Sequence, residues 1–427
     1  MLFLLLLLSI KTIFATKPNI LIYIADDLGQ GEINQQSFEN SFLLNPINQQ
    51  LPQLINTPNL EKFSKESENF HHTWTSSVCS PSRYTLITEK EIDIKSSIRG
   101  NGDLGNNVIW NKSNIFKRFK NIGYKTGYIG KFGFGNPYNK INDIDYYYGP
   151  DISNKDDTHK LSHILYPSKV IENNEIINIK KNKNTNKRKC FFKKQCEYLP
   201  NLLFQKTLNF INNNKNPWFL LYSTPLNHVG KWSKNDIKFT SPVDYIDKRI
   251  NYIKNFDRKA HLTMIYMIDN EIGQLMNIVN NNTIVVFTSD NGAEYEYING
   301  KTRYPNYFTS TGGRRGIKRT PYEGGINVPM MIRWPNELCM KHNYKPIGFN
   351  DLGRLLYDKN SYEYKDYLSL VYCDNDIDCV SILMDSKNKL KLIKFNNRYE
   401  LYDLVNDPTE SINIKNIPQY LLDIINK

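Results

Sequence analysis

Val78-Cys79-Ser80-Pro81-Ser82-Arg83-Tyr84-Thr85-Leu86-Ile87-Thr88 sets a small nucleophile, Cys79, four residues before a fixed cation, Arg83. Pro81 fixes one φ between them, so the segment reads as a tight turn entering a helix. A helix N-terminus at this point would aim backbone N–H groups and the positive end of the dipole at residue 79, which suits an anionic group attacked there. The plain alternative is a buried cysteine beside a surface arginine.

Outward from this stretch, three apolar runs read as buried strands: Asn19-Ile20-Leu21-Ile22-Tyr23-Ile24, Trp218-Phe219-Leu220-Leu221-Tyr222-Ser223 and the β-branched Thr283-Ile284-Val285-Val286-Phe287-Thr288. Continuous runs of this kind suit a parallel sheet covered on both faces. The first delivers Asp26, Asp27 and Gly29 to its C-terminal end, and the last delivers Ser289-Asp290-Asn291-Gly292. Open α/β sheets place their sites at such ends. Adjacent carboxylates repel, so each pair alone reads either as a solvated turn or as half of a metal site. Side-chain oxygens of Asp26, Asp27, Asp290 and Asn291 together suit one hard cation with roughly six to eight ligands, Ca²⁺ ahead of Mg²⁺ and both ahead of Zn²⁺. Residue 79 and an anionic ligand would complete that set.

The Trp218 run leads to Thr224-Pro225-Leu226-Asn227-His228. A histidine just beyond a buried strand is either an ordinary loop residue or placed for acid–base work. Lys131 ends a short strand, Gly123 to Gly130, at a Gly-rich turn, where it is either solvated or turned into the site. Lys318 lies in Arg315-Gly316-Ile317-Lys318-Arg319-Thr320-Pro321-Tyr322-Glu323-Gly324-Gly325, a Gly-rich loop that lets backbone approach an anion. Helical spacing of apolar residues predicts helices over 114–120, 204–212 and, longest, 260–279.

The chain has 427 residues, enough for one large and one small domain. Its net charge of +12 favours anionic partners. No RNA- or DNA-binding motif is present, so nucleic acid is the weaker reading of that charge. Leu2 to Ile10 is almost wholly apolar and is followed by Ala15, which reads as a signal peptide over residues 1–16. No later run is apolar for long enough to predict a membrane span. Six cysteines fit a secretory compartment. Cys190 with Cys196 and Cys373 with Cys379 are close in sequence and could each close a short loop, although spacing does not fix the pairing. Asn111-Lys112-Ser113 and Asn281-Asn282-Thr283 have the glycosylation acceptor pattern.

Cys79-x-Pro81-Ser82-Arg83 followed by Leu86-x-Thr88 resembles the signature of the type I sulfatases, in which the cysteine becomes formylglycine and its hydrate is the nucleophile. Gly130-Lys131, Asp145-Tyr146-Tyr147-Tyr148-Gly149, Asp269-x-x-Ile272-Gly273, the Arg315 to Pro329 block, and Glu400-Leu401-Tyr402-Asp403-Leu404 with Asp407-Pro408 resemble later family blocks. The resemblance runs from about Asn19 to the C-terminus. It implies an α/β fold: a large domain with a mixed, mostly parallel sheet sandwiched by helices (alkaline-phosphatase-like), and a small C-terminal α+β domain with an antiparallel sheet. Residues 17–337 would form the first and 338–427 the second. The chain departs from the family at Gly133, where many members carry histidine, at Glu89 for glycine, at Asn227 for proline and at Asn327 for arginine.

The resemblance further implies a secreted or lysosomal sulfuric ester hydrolase matured by a formylglycine-generating enzyme and acting on a small-molecule or glycan sulfate ester. Cys79, Arg83, Lys131, His228 and Lys318 would be catalytic, with His228 or Lys318 donating a proton to the leaving alcohol. Asp26, Asp27, Asp290 and Asn291, with residue 79, would hold Ca²⁺. Ser153 and His163 would face substrate, with His163 or water serving in place of the missing histidine. Two other readings stand beside this one: a phosphate or phosphonate ester hydrolase on the same fold, which usually needs two metals, and a catalytically silent protein that binds sulfated ligands.

Overall fold

The computed structural model describes residues 17–33, 55–91, 113–133, 142–150, 165–183, 190, 195–215, 217–228, 230–233, 236–238, 250, 253–254, 256–294, 296–298, 301–303, 310–337, 341–373 and 379–427. Along β1 (Asn19–Ala25), Leu21, Tyr23 and Ala25 face one hydrophobic core while Ile20, Ile22 and Ile24 face another. Side chains alternate across a strand, so an unbroken apolar run is buried on both sides. The other strands of the sheet are β2 (Glu68–Phe70), β3 (Lys125–Gly130), β4 (Tyr146–Pro150), β5 (Lys169–Glu172), β6 (Glu175–Asn178), β7 (Trp218–Ser223), β8 (Thr283–Ser289), β9 (Met330–Arg333) and β10 (Lys341–Asn343). Their order is β10-β2-β9-β8-β1-β7-β3-β4-β5-β6. The central strands β8, β1, β7, β3 and β4 are parallel. Antiparallel pairings flank them at β8–β9, β9–β2, β4–β5 and β5–β6, and β10 runs parallel to β2.

Helices cover both faces. On one side lie α1 (Pro58–Lys65), α4 (Leu199–Asn213) and α5 (Phe256–Ile278), with Phe63, Leu203, Ile268 and Ile272 in the core. On the other lie α2 (Cys79–Thr88), α3 (Ile115–Lys120) and α6 (Phe349–Tyr357), contributing Leu86, Phe116, Phe119, Leu352 and Leu355. The mixed, mostly parallel sheet sandwiched by helices is therefore as expected. α4 starts at Leu199, ahead of the expected Phe204, because Pro200 sits in its first turn, where a missing N–H costs nothing.

Strands β11 (Tyr367–Cys373), β12 (Cys379–Asp385), β13 (Leu390–Lys394) and β14 (Tyr399–Asp403) form a separate antiparallel sheet. Leu421 of α7 (Gln419–Ile425) packs on one face with Leu383, Leu392 and Leu401. The other face presents Ile382, Ile393 and Tyr402 to Trp74 and Ile326 of the large domain. At this junction buried Lys391 meets Glu323 at 3.0 Å and Glu410 at 2.7 Å. β10 and α6, although beyond residue 337, pack with the large sheet and with α2. Cys190 and Cys196 form a disulfide; Cys379 is also disulfide-bonded, and the β11–β12 register sets Cys373 opposite it. Among the described residues no helix is long and apolar enough to cross a membrane.

Under the sheet, Glu271 of α5 accepts hydrogen bonds from the hydroxyls of Tyr23 at 2.7 Å and Tyr222 at 3.0 Å. Burial pushes its carboxyl up to about 8, against the pull of those two donors. The folded state thus keeps a proton that the unfolded chain has lost. Its contribution is fully present below the unfolded value of 4.5 and is lost as pH rises through about 8. Glu271→Gln is expected to flatten the fall of stability between those pH values by up to about 1.4 kcal/mol per pH unit. Urea denaturation of both proteins at mildly acidic and mildly alkaline pH measures this; equal slopes would remove Glu271 from the pH dependence.

Candidate active site

Four parallel strands end together and carry the polar centre. Asp26 and Asp27 follow β1, Asp290 and Asn291 follow β8, Lys131 follows β3, and Ser223 ends β7 with His228 in the loop beyond it. Cys79 stands at the first position of α2, as the turn-into-helix reading requires, and Arg83 lies one turn later on the same face. Arg83 is 1% exposed, so it is not a surface arginine. Its Nε and Nη2 donate to Asp290 Oδ2 at 2.9 and 2.7 Å, and its Nη1 donates to the Lys131 carbonyl at 2.6 Å and to Ser223 Oγ.

Two lysines reach in from opposite sides. Lys131 Nζ donates to Asp26 Oδ2 at 2.7 Å and Oδ1 at 3.0 Å. Lys318 Nζ donates to Asp27 Oδ2 at 2.7 Å and lies 3.3 Å from both Glu294 and His228 Nε2. Burial opposes both charges, yet Asp26 and Asp27 respectively hold the two ammonium groups above their ordinary values. His228 Nε2 is 3.4 Å from Asp27 Oδ2. Cys79 Sγ lies 3.7 Å from Asp27 Oδ1, and burial pushes its thiol up to about 12 against the pull of Lys131 and Lys318. A bare thiol here is neutral at pH 7 and a poor nucleophile.

Ligand atoms of Asp26, Asp27, Cys79 and His228 all lie within 4.8 Å of one another. Asn291 Nδ2 donates to Asp27 Oδ1 at 2.7 Å, whereas the fully buried Asn291 Oδ1 has no hydrogen-bond partner among the described residues. Burial raises the carboxyl of Asp27 against the pull of Lys318, and burial with Asp26 raises that of Asp290 against the pull of Arg83. An orphaned oxygen among carboxylates that resist ionisation fits a hard divalent cation.

The backbone explains the departures from the family pattern. Gly133 has φ +94°, its carbonyl accepts from Ser80 Oγ at 2.9 Å, and a Cβ there would stand 3.1 Å from Arg83 Cδ. The position is shaped for glycine, and a histidine would need a different turn. Asn227 has φ +77°, which proline cannot adopt, and its Nδ2 donates to the Asp27 carbonyl and to Glu32. Glu89 caps α2 at φ +56° while its carboxylate pairs with Arg118 at 2.7 Å. Asn327 bridges Gln30, Glu323 and the His71 carbonyl.

Sequence reasoning missed Glu294 and Arg319. Glu294 is a buried counter-ion held between Lys318 and the half-exposed Arg319, whose Nη1 meets it at 2.8 and 2.9 Å. Closeness to Asp290 and to Lys318 in sequence was the only available signal. Asp27, Asn227 and Arg319 all adopt positive φ at this centre, local strain of the kind that clusters at functional sites. The two expected substrate-facing residues, Ser153 and His163, and the segment 1–16 lie outside the described residues.

The chain belongs to the Sulfatase family, whose profile matches residues 18–358. It is 23% identical over 401 residues to "Arylsulfatase H" of Canis lupus familiaris, covering 76% of this chain and 65% of that protein. It is 23% identical over 384 residues to "N-acetylgalactosamine-6-O-sulfatase" of Bacteroides thetaiotaomicron, covering 75% and 68%. The chain thus spans less than two thirds of that arylsulfatase's length. The fold is similar to the crystal structure of Ps i-CgsB in complex with k-i-k-neocarrahexaose, with a TM-score of 0.69, 21% identity, and coverage of 96% of this chain and 91% of that one.

Proposed function

We propose that this protein is a sulfuric ester hydrolase, and that its substrates are sulfate esters of sugars, as the name of the N-acetylgalactosamine-6-O-sulfatase implies for that relative. One observation carries the reading: Cys79, at the start of a buried helix, lies at one edge of the sheet with three buried cations and the oxygens of Asp26, Asp27, Asp290 and Asn291. Asp26, Asp27, Asp290 and Asn291, with residue 79, would hold a divalent cation, Ca²⁺ on the hardness of the donors, which polarises a bound sulfate. Formylglycine at residue 79, when hydrated, supplies a gem-diol with one hydroxyl to attack sulfur and a second to release sulfate afterwards.

This chain's own residues do the rest. Lys131 and Lys318 flank residue 79 and meet the negative charge that grows on the sulfuryl oxygens. Arg83 holds Asp290 and the Lys131 carbonyl in place. His228 beside Lys318 can pass a proton to the leaving alcohol. Arg319, half-exposed beside Glu294, offers a further cation to an anionic substrate. The reading also takes residues 1–16 as a secretory signal and starts the smaller subdomain near Tyr367, after α6.

The test pairs chemistry with mass. Protein secreted from a eukaryotic host is assayed on an aryl sulfate and an aryl phosphate, and the peptide containing Cys79 is weighed. Hydrolysis of the sulfate together with a CH₂SH-to-CHO mass loss is the expected result. An unmodified Cys79, in a host that converts a control sulfatase, would sink the mechanism, and preference for the phosphate would sink the substrate class.

A further inference from the structure

A second anion-attracting cavity opens beside the sheet, apart from Cys79. It has a volume of about 750 Å³ and lies where β10, the loop after it and the β12–β13 turn meet. Its walls carry Lys341, His342, Lys345, Lys359 and Lys389 against Glu68. Glu337 partners Lys341 and Lys359, at 2.5 and 3.0 Å. Lys345 meets no carboxylate among the described residues; its ammonium lies 4.8 Å over the ring of Tyr364. The ammonium of Lys389 donates to the Ser386 carbonyl. Burial lowers its pKa, Asp385 opposes this, and the charge of Lys345 lowers it further. Burial, with smaller repulsion from neighbouring His342, His72 and Arg314, drives His71 down to about 3, so its ring is neutral at pH 7 and serves for stacking. Among the described residues Lys345 and Lys389 form no ion pair with a carboxylate, unlike Lys341 and Lys359.

The cavity also has an aromatic floor. Tyr344 stacks one ring face on His71, with centroids 4.4 Å apart and planes 7° from parallel, yet remains 53% exposed. An exposed aromatic face beside Lys345 and Lys389, whose ammonium groups meet no carboxylate among the described residues, suits a sugar ring bearing a sulfate: the C–H face of the sugar lies on the ring, and the anion meets the two lysines.

Topology puts the Tyr344 end of this cavity on the active-site side, while Glu68 and Lys341 line its far end. β10 runs parallel to β2, and β2 runs parallel to the central strands through two antiparallel steps. Tyr344 and Lys345 therefore leave the sheet at the same edge as Asp26 and Asp290. Three strand spacings separate β10 from β8, roughly 15 Å, a span that a short oligosaccharide covers. Asn327 joins the two places, accepting from Gln30 and donating to the His71 carbonyl at 3.1 Å each.

We propose that this cavity is a subsite for a second sulfated sugar of the same glycan chain whose ester lies at Cys79, with Tyr344 taking the sugar face and Lys345 and Lys389 the sulfate. It rests on the hydrolase reading for the ester cut at Cys79, but binding is measured without turnover. Fluorescent hexasaccharides from heparin, chondroitin sulfate and carrageenan are titrated against full-length Cys79→Ala protein, with and without Lys345→Gln and Lys389→Gln. At least one is expected to bind, with Kd rising about tenfold in the triple variant and about as much on desulfation of the sugar. Failure of all three to bind, equal Kd in both proteins, or equally tight binding of single-stranded DNA through the same lysines overturns the subsite. With Cys79 intact, the two lysine substitutions should leave aryl sulfate turnover unchanged; a parent protein inactive on every sulfate ester overturns the hydrolase reading alone. Melting curves of each variant confirm that it folds.

Discussion

Cys79→Ala is expected to lower kcat/KM for an aryl sulfate by at least about 10³-fold, since it removes the group that the proposed mechanism uses to form a covalent intermediate. Its melting temperature should stay within about 2 °C of the parent, because little holds the fold through this side chain. The hydrogen-bond contact of Sγ is Asp27 Oδ1, at a long 3.7 Å. The charges around it have firmer partners: Lys131 on Asp26, Lys318 on Asp27 and Arg83 on Asp290. A large loss of activity with an unchanged fold separates a nucleophile from a packing residue. Kinetics and a melting curve on the same preparation decide it, and an alanine variant with near-parental turnover would mean that some other group attacks sulfur.

Much of this centre could be read from the chain because its strands are written plainly. Trp218–Ser223 forms over the expected residues, and the Thr283 run gains only Ser289. Both are unbroken apolar runs ending in polar residues, a pattern that a buried parallel strand enforces. The partners of the charged residues were not readable. Lys318 and Asp27 are 291 residues apart, and nothing local records that they meet. The same holds for Glu294 as counter-ion to Lys318, and for Asn291 as the holder of an orphaned oxygen. Departures from the family pattern were visible as letters, but their causes lie in backbone. Asn227 and Glu89 have positive φ, and Gly133 sits against Arg83. The pairing of β10 with the large sheet was hidden for a related reason: it is a three-residue edge strand, and its partner β2 lies most of the chain away.

Arg83→Met carries the second large effect, and it separates stability from catalysis differently. Asp290 Oδ2 would lose two donors, at 2.7 and 2.9 Å, and the Lys131 carbonyl and Ser223 Oγ would lose theirs. Asp26, 3.7 Å from the guanidinium, would keep only Lys131 as a close cation. Removing one partner of a buried ion pair leaves an uncompensated charge, and the cost here is expected at about 3–5 kcal/mol by urea denaturation. Millimolar Ca²⁺ should narrow the gap and a chelator should widen it, since a divalent cation among these oxygens replaces the missing charge and binds only the folded chain. Arg83→Lys should recover part of the stability but little of the activity. A single ammonium restores charge, not the fork that ties Asp290, Ser223 and the Lys131 carbonyl into one geometry. Should Arg83→Met melt like the parent in chelator, the guanidinium would not be what holds Asp290, and the strand ends would have to be fixed by the backbone alone. If instead it is destabilised but insensitive to Ca²⁺, the oxygen cluster is not a cation site, and the polarising role assigned to the metal would pass to Lys131 and Lys318.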